Sequence, residues 1–276
     1  MLRLLFLGLF AAATASSLAG QGVLVAPHAV YIDHARRTSS LTLYNPNAEP
    51  AEVTIATAFG YPTTDSLGHF VLRTRDHPDS TLPSAAGWIQ AYPRRLLIAP
   101  LERQTVRLLA TPPPGLPDGE YWARLIITAR GGTLPVSGAA DTTAVRIQLN
   151  LVVNTNIGLA YRKGVMATGL ALSRLRTRVV GDSLQVWSHL ERRGTAAYVG
   201  TVRAALVDSA GQIRRTLTAP IGVYVAMDPC YAFSTGGLPP GRYRLRFEVV
   251  TEREDLDPAV VLRAPPVRDS LDLHVP

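Results

Sequence analysis

Cysteine and lysine are almost absent from this 276-residue chain, since Cys230 and Lys163 are the sole examples. A single cysteine excludes an intrachain disulfide, so every core must be stable without covalent cross-links, as domains of ordinary size can be. We expect Cys230 to be a small buried apolar residue, and a reactive or intermolecular thiol is the alternative. The net charge of +7 therefore comes almost entirely from arginine.

The arginines do not cluster. They are spread along strand-like stretches or paired in predicted turns, as in Arg36-Arg37 and Arg192-Arg193. Nucleic-acid binding would require clustering on one element with interleaved aromatic residues, and that pattern is missing. We therefore predict no nucleic-acid partner, and a surface whose charges protect strand edges from aggregation.

Long apolar runs are also missing, so no membrane span is predicted. Residues 1–19 instead have the pattern of a signal peptide, with Arg3 followed by the short apolar run Leu4–Phe10 and then small residues suited to cleavage. The alternative is a structural N-terminal helix. We expect an exported protein that begins near residue 20.

Motifs of catalysis are absent as well: there is no nucleophile elbow, no phosphate-binding loop and no paired zinc-ligand motif. One polar stretch could ligate a metal through Asp65, His69, Asp76, His77 and Asp79. Without helical or CxxC spacing, a solvated loop is the expected structure there. We predict a protein that is not an enzyme and that uses no metal or other cofactor.

The pattern that is present is alternation. From Val23 onward nearly every periodic segment alternates apolar and polar residues, and none has a helical pattern over three turns. The first strand is interrupted at Pro27, and a turn between Ser40–Tyr44 and Val53–Phe59 predicts a hairpin-like pair. Residues 62–82 read as a loop with one short strand at His69–Arg73. Turn residues recur at the spacing of an immunoglobulin-like β-sandwich.

The chain then repeats itself, because Leu116-Pro-Asp-Gly-Glu-Tyr121 has a counterpart in Leu238-Pro-Pro-Gly-Arg-Tyr243. Each tyrosine follows a glycine turn at the start of a strand, where the tyrosine corner of such sandwiches belongs. We therefore predict an all-β protein of two tandem immunoglobulin-like sandwiches, spanning residues 20–162 and 163–276. The strands predicted for the second are Leu170–Val180, Ser183–Leu190, Gly200–Asp208, Ile221–Met227, Tyr243–Val250 and Leu271–Val275. The three tryptophans, Trp88, Trp122 and Trp187, are expected in the two cores, with a carbohydrate-stacking platform as the alternative.

The most regular alternation follows the first repeat. Its apolar row consists of Val145, Ile147, Leu149, Leu151 and Val153, all on one face of a single β-strand. An ordinary half-buried strand is one interpretation. The other is a strand whose apolar row is offered to a partner by strand addition.

At this point the chain resembles the periplasmic pilus-assembly chaperones, the PapD-like family, which consist of two immunoglobulin-like domains set as a boomerang. The resemblance rests on ordered matches along the first domain: Val25–Tyr31, Leu41–Asn45, Val106–Leu108 with the Thr111–Glu120 segment, and Thr155–Arg162. It implies a chaperone whose last first-domain strand lends the Val145–Val153 row to a pilin-like or secreted subunit, in the periplasm. An outer-membrane usher is a further partner that it implies.

The resemblance also assigns other positions. Glu120 and Arg162 stand where the family has a structural ion pair near the domain junction. The family anchors the subunit's terminal carboxylate with an arginine and a lysine, but here those positions hold His28 and Gly158. A mostly neutral histidine cannot form a bidentate clamp on a carboxylate. Either other cations charge the cleft, with Arg36, Arg37, Arg146, Arg162 and Lys163 as candidates, or no carboxylate is anchored.

A tandem immunoglobulin-like module of the cell envelope, structural or adhesive and without chaperone activity, is the alternative function, since fold alone does not decide function. Whether the Val145–Val153 row is exposed distinguishes the chaperone from the envelope module. An exposed row would also allow two copies to cap one another as a dimer.

Overall fold

The computed structural model describes residues 22–75, 81–131 and 152–276. Within these ranges the chain is built from β-strands, with two short 3-10 turns at Ala86–Trp88 and Pro258–Val260. The strands form two immunoglobulin-like sandwiches, each with its own apolar core. The predicted signal peptide lies outside the described residues.

The described residues of the first sandwich form ten strands. They are β1 (Leu24–Ala26), β2 (Ala29–Asp33), β3 (Thr38–Tyr44), β4 (Ala51–Thr64), β5 (Phe70–Arg75), β6 (Ile89–Tyr92), β7 (Arg95–Ile98), β8 (Arg103–Ala110), β9 (Gly119–Gly131) and β10 (Val152–Lys163). One sheet has the order β1-β3-β8-β6, and the other has the order β2-β10-β9-β4-β5, with β7 paired to β4. Their alternating apolar residues meet between the sheets, where Leu41, Val106, Leu125 and Ile127 are almost fully buried.

The predicted first strand crosses between the sheets at Pro27. β1 pairs with β3 in one sheet, and β2 pairs with β10 in the other. Proline is disfavoured inside a strand because it has no N–H to donate to the neighbouring strand. At the crossover no such hydrogen bond is needed, so Pro27 fits there.

The predicted hairpin between β3 and β4 is wrong, since these strands lie in different sheets. The buried side chain of Asn45 explains the difference. Its Nδ2 donates to the backbone oxygens of Glu49, Ile98 and Ala99 at 2.7, 3.1 and 3.2 Å. These bonds fix the connection as a crossover loop, because a buried amide must be satisfied by its surroundings.

The short strand predicted at His69–Arg73 within residues 62–82 is confirmed as β5, and β4 runs through Thr64 and pairs with it, so the stretch begins as a β-hairpin rather than as a loop. The tip of this hairpin reaches the second sandwich. Asp228 donates its backbone N–H to Thr64 Oγ1 at 2.8 Å, and Cys230 donates its N–H to the carbonyl of Gly68 at 3.0 Å. The hairpin therefore joins the two sandwiches.

The second sandwich contains eight strands. They are β11 (Thr168–Val180), β12 (Ser183–Gly194), β13 (Tyr198–Asp208), β14 (Ile213–Val223), β15 (Ala226–Met227), β16 (Cys230–Ser234), β17 (Gly241–Val250) and β18 (Val267–Val275). One sheet contains β11, β12, β15 and β16, and the other has the order β14-β13-β17-β18. The predicted Ile221–Met227 strand is the end of β14 followed by β15, while β16 was not predicted.

Both halves of the internal repeat form the same structure. Tyr121 donates its hydroxyl to the carbonyl of Pro117 at 2.9 Å, and Tyr243 donates its hydroxyl to the carbonyl of Pro239 at 2.7 Å. Each bond closes a tyrosine corner four residues upstream of the ring. The sequence repeat is therefore also a repeat of structure.

The expectation that all three tryptophans lie in the sandwich cores is wrong for two of them. Trp122 is fully buried, but it packs with Phe59, Tyr61 and Ala197 in a cluster between the two sandwiches. Trp187 is half-buried on β12, with the Arg176 guanidinium over its ring and Gly68 against its edge. These rings face a neighbouring element rather than the opposite sheet.

Candidate functional site

The strand that continues the predicted row is β10, and its two edges differ. One edge pairs with β9 over its whole length, from Val152 to Lys163. The other edge pairs with β2 only from Gly158 to Arg162. Within residues 22–75, 81–131 and 152–276, no strand pairs with this second edge between Val152 and Ile157. Such an edge can accept an added strand.

The buried face of β10 is the face of the predicted row. Tyr161, Leu159 and Ile157 are at most 2% exposed in the first core, whereas Val153 is only half-buried. The side chains on this face are therefore less buried toward the start of the strand. Val145, Ile147, Leu149 and Leu151 precede this point and lie outside the described residues, so their donor role stays a prediction.

Glu120 and Arg162 are direct neighbours across β9 and β10 and form an ion pair, with Arg162 Nε donating to Glu120 Oε2 at 2.8 Å. Glu120 Oε1 also accepts from Trp122 Nε1 at 3.0 Å and from the Ala197 amide at 3.1 Å. Arg162 Nη1 donates to the carbonyl of Val260 at 2.6 Å. The pair thus binds backbone groups of the second sandwich, and its charges are satisfied by hydrogen bonds, as buried charges require.

The two anchor positions lie on neighbouring strands. His28 is exposed just before β2, and Gly158 pairs with Ala29 in the next residue position. Neither supplies a permanent positive charge. The structure thus brings the two positions together without a cation of their own.

A guanidinium from β9 lies beside these two positions, on a residue that the sequence analysis did not single out. Arg124 pairs with Gly158, and a Cβ built at Gly158 would lie 3.2 Å from Arg124 Nη1. Arg124 Nε donates to the carbonyl of Gly60 at 3.1 Å, which fixes the side chain in position. Among the described residues, no carboxylate forms an ion pair with Arg124.

Tyr224, from the second sandwich, covers the same place. The Arg124 guanidinium carbon lies 5.6 Å from the centre of its ring, and the Tyr224 hydroxyl would lie 3.9 Å from a Cβ at Gly158. Burial raises the pKa of Tyr224 to about 12, against the lowering effect of Arg124. The hydroxyl is therefore a neutral hydrogen-bond donor beside a guanidinium.

The other predicted cations are dispersed. Arg162 and Lys163 are held by Glu120 and Asp118, Arg36 and Arg37 lie in the turn after β2, and Arg146 is outside the described residues. In the polar stretch considered for a metal, His69 Nδ1 lies 3.2 Å from Asp65 Oδ2, and Asp76, His77 and Asp79 are outside the described residues. No group of three potential metal ligands occurs in the described part of the chain. That part also contains no helix with the length and hydropathy of a membrane span.

Comparison with known proteins finds similarity at the level of structure. No family model matches the chain, and no curated protein matches it. Among solved structures, the CupB2 chaperone of Pseudomonas aeruginosa is 13% identical, with 91% of this chain and 100% of that chain covered and a TM-score of 0.40. The E. coli chaperone DraB is 13% identical, with 90% and 96% covered and a TM-score of 0.45.

A third similar structure is the Salmonella enterica SafA pilin in complex with the SafB chaperone, which is 14% identical. It covers 91% of this chain and 96% of that chain, with a TM-score of 0.43.

Proposed function

We propose that this protein is a periplasmic chaperone that binds a pilin-like or secreted subunit by donating the Val145–Val153 row to the subunit's incomplete sandwich. The observation that supports the proposal is the second edge of β10 from Val152 to Ile157, directly after the row, with which no strand of the described residues pairs. An incomplete sandwich exposes an apolar groove and unpaired strand edges. A donated strand covers the groove with side chains and pairs its backbone with those edges.

The free energy gained by burying the donated side chains is large enough to capture a subunit. Four aliphatic side chains, fully buried, contribute about 6–12 kcal/mol before the ordering of the strand is subtracted. The odd-numbered face of β10 is buried at Ile157 and only half-buried at Val153. The proposal assigns the apolar side chains that precede Val153 to a partner rather than to the first core.

The cleft supplies a second contact in the proposal. Arg124 and the Tyr224 hydroxyl converge on Gly158, next to His28 and to the end of the free edge. A guanidinium with a neutral hydroxyl beside it is a good binding site for a carboxylate. We therefore assign the anchoring of the subunit's terminal carboxylate to Arg124, in place of the family's arginine and lysine.

The proposal keeps the predicted organisation: a signal peptide at residues 1–19, a donor domain at 20–162 and a second domain at 163–276. Glu120 and Arg162 have a structural role at the junction, because their remaining hydrogen bonds go to the Trp122 ring nitrogen and to backbone groups at Ala197 and Val260. A tandem envelope module without chaperone activity is the function left if no subunit is bound.

Co-expression with the pilin-like or secreted proteins encoded beside it tests the proposal, followed by purification through a tag on this chain. We expect a stoichiometric complex that is lost in Leu149→Asp. Gln148→Asp is the matched control, because it places the same charge on the opposite face of the strand. That variant should retain the complex.

Arg124→Gln tests the anchor separately. We expect about tenfold weaker binding to the full-length subunit and no further loss when the subunit's C-terminal carboxylate is amidated. A complex that survives Leu149→Asp, or equal loss in Gln148→Asp, contradicts strand donation. If amidation of the subunit weakens binding equally in the wild type and in Arg124→Gln, anchoring of the carboxylate by Arg124 is contradicted. That result would not contradict strand donation.

A further inference from the structure

A separate open cavity of about 920 Å³ lies on the first sandwich, where β2 and the turn after it meet the outer face of β3, β6 and β8. Its lining includes Tyr31, Arg36, Ser40, Tyr92, Thr105 and Arg107. None of its lining residues belongs to β10, and none is aliphatic. It is therefore distinct from both the free strand edge and the cleft beside Arg124.

The floor of the cavity is set by strand register. Arg107 on β8 pairs with Ser40 on β3 at one side and with Tyr92 on β6 at the other, so the three side chains form one outward row. Thr105 stands on the same face of β8 and is also exposed. Together these residues offer the Arg107 guanidinium, the hydroxyls of Ser40 and Thr105, and the Tyr92 ring. Tyr92 is 49% exposed.

The rim carries a second guanidinium in a turn of fixed shape. Arg37 donates its backbone N–H to the carbonyl of Asp33 at 2.8 Å, and Ala35 donates its N–H to Asp33 Oδ1 at 2.8 Å. Arg36 lies between these bonds, so its backbone is positioned before any ligand arrives. Preorganisation of this kind lowers the entropy that binding would otherwise cost.

The charge in the cavity is not balanced. Arg36 and Arg107 line it together with a single acid, Asp33, and in the described chain neither arginine forms an ion pair. Arginines elsewhere in the protein are commonly paired, as in Arg244 with Asp272 and Arg268 with Glu248. Two free guanidiniums in one concave site favour an oxyanion, which arginine binds with two parallel hydrogen bonds.

The rest of the lining narrows the ligand class. A protein partner needs an apolar centre to bury, and this cavity offers no aliphatic side chain. Serine and threonine hydroxyls beside the exposed ring of Tyr92 instead match the hydroxyls and ring face of a sugar. We propose that this cavity binds a sugar acid or sugar phosphate, with Arg36 and Arg107 on the anion and Ser40, Thr105 and Tyr92 on the ring.

Titration of the 15N-labelled full chain, followed by NMR, tests the assignment with glucuronate, glucose 6-phosphate, glucose and inorganic phosphate as probes. We expect saturable shifts at the cavity with the first two and clearly weaker binding of glucose and of phosphate alone. Arg36→Gln and Arg107→Gln should each weaken the anionic sugars about tenfold. Arg103→Gln is the matched control: it is exposed on β8, but its guanidinium lies over the Tyr44 ring, and binding should not change.

Several results would overturn the assignment. One is the absence of saturable shifts with either anionic sugar in a protein whose melting temperature is normal. Another is phosphate binding as tightly as glucose 6-phosphate, which would leave an anion site without sugar recognition. Tighter binding of an acidic peptide than of glucuronate would identify a protein surface instead. None of these outcomes depends on subunit capture, which Leu149→Asp tests separately.

Discussion

Arg124 occupies the space in which a side chain at Gly158 would stand: a Cβ built there would lie 3.2 Å from Arg124 Nη1. The two residues are direct partners across β9 and β10. The absence of a side chain on one strand thus allows a guanidinium from the next to reach the cleft. A lysine at position 158 would have to displace Arg124. The cation in the cleft can therefore come from β10 or from β9, but not from both.

The link between Arg124 and Tyr224 can be tested without a partner. The pKa of Tyr224, about 12, is raised by burial and lowered by Arg124. Arg124→Gln should therefore move the tyrosine's titration to still higher pH. Ultraviolet titration of Arg124→Gln and wild type, each compared with the same protein carrying Tyr224→Phe, isolates this one tyrosine. Arg130→Gln, an exposed position on the same strand, should have no effect on it.

The same pKa predicts a loss of stability at alkaline pH. In the unfolded chain Tyr224 ionises near pH 10, whereas in the folded chain it stays neutral until about pH 12. The free energy of unfolding should fall as the pH rises through this window, because the unfolded state loses a proton that the folded state keeps. Tyr224→Phe should flatten the fall. An identical pH dependence in both proteins, measured by urea unfolding at constant ionic strength, would contradict burial of this hydroxyl.

The Glu120–Arg162 pair should matter more for stability than any surface pair. Glu120 and Arg162 side chains are 2% and 12% exposed, and Glu120 accepts three hydrogen bonds. Glu120→Ala leaves a buried guanidinium without its anion and should cost about 3–5 kcal/mol. Glu120→Gln keeps an acceptor oxygen and should cost less. Urea unfolding measures both, with Glu191→Ala, part of an exposed pair with Arg193, as the control that should change little.

The paired tyrosine corners predict additive losses. Tyr121→Phe and Tyr243→Phe each remove one hydroxyl-to-carbonyl hydrogen bond, worth about 0.5–1.5 kcal/mol. The two bonds lie in different sandwiches, so the double variant should lose the sum of the single losses. A double loss well below the sum would indicate that the two corners share one network. Tyr92→Phe is the control, because its hydroxyl contacts only the exposed Gln90 side chain.

Local signals in the sequence predicted local structure. Glycine-turn and tyrosine spacing at residues 116–121 and 238–243 predicted two strand starts, and both form tyrosine corners. Alternation predicted β12 and β17 close to their observed bounds, whereas most of the predicted Val145–Val153 strand lies outside the described residues. Most of β14 was missed, because Arg214-Arg215 and Pro220 break its apolar pattern. β14 is an edge strand, where charge and proline are tolerated.

Partners distant in the chain could not be predicted from local pattern. β3 and β4 are joined by turn residues, but they lie in different sheets because the buried side chain of Asn45 fixes their connection as a crossover loop. Arg124 resembles any other strand arginine until register places it against Gly158. The signal that could have pointed to it was the glycine itself, since a glycine inside a strand often marks the close approach of another group.

The hairpin formed by β4 and β5 gives a prediction about the junction of the two sandwiches. At its tip, Gly68 has φ +81°, and a Cβ there would lie 2.6 Å from Cys230 Cβ and 2.8 Å from the Cys230 nitrogen. Gly68→Ala therefore combines an unfavourable backbone conformation with a clash against backbone, and should cost about 2–4 kcal/mol or release the hairpin tip. Gly87→Ala is the matched control, because its Cβ would meet nothing within 4 Å.

Cys230 distinguishes these two responses. Burial raises the pKa of its thiol, so labelling by a thiol reagent should be slow at neutral pH in the wild type. If Gly68→Ala releases the hairpin tip, Cys230 should label much faster while urea unfolding changes little. If the tip stays in place, labelling should remain slow and the unfolding midpoint should fall. A variant with wild-type labelling and wild-type stability would show that the hairpin tip does not pack against Cys230.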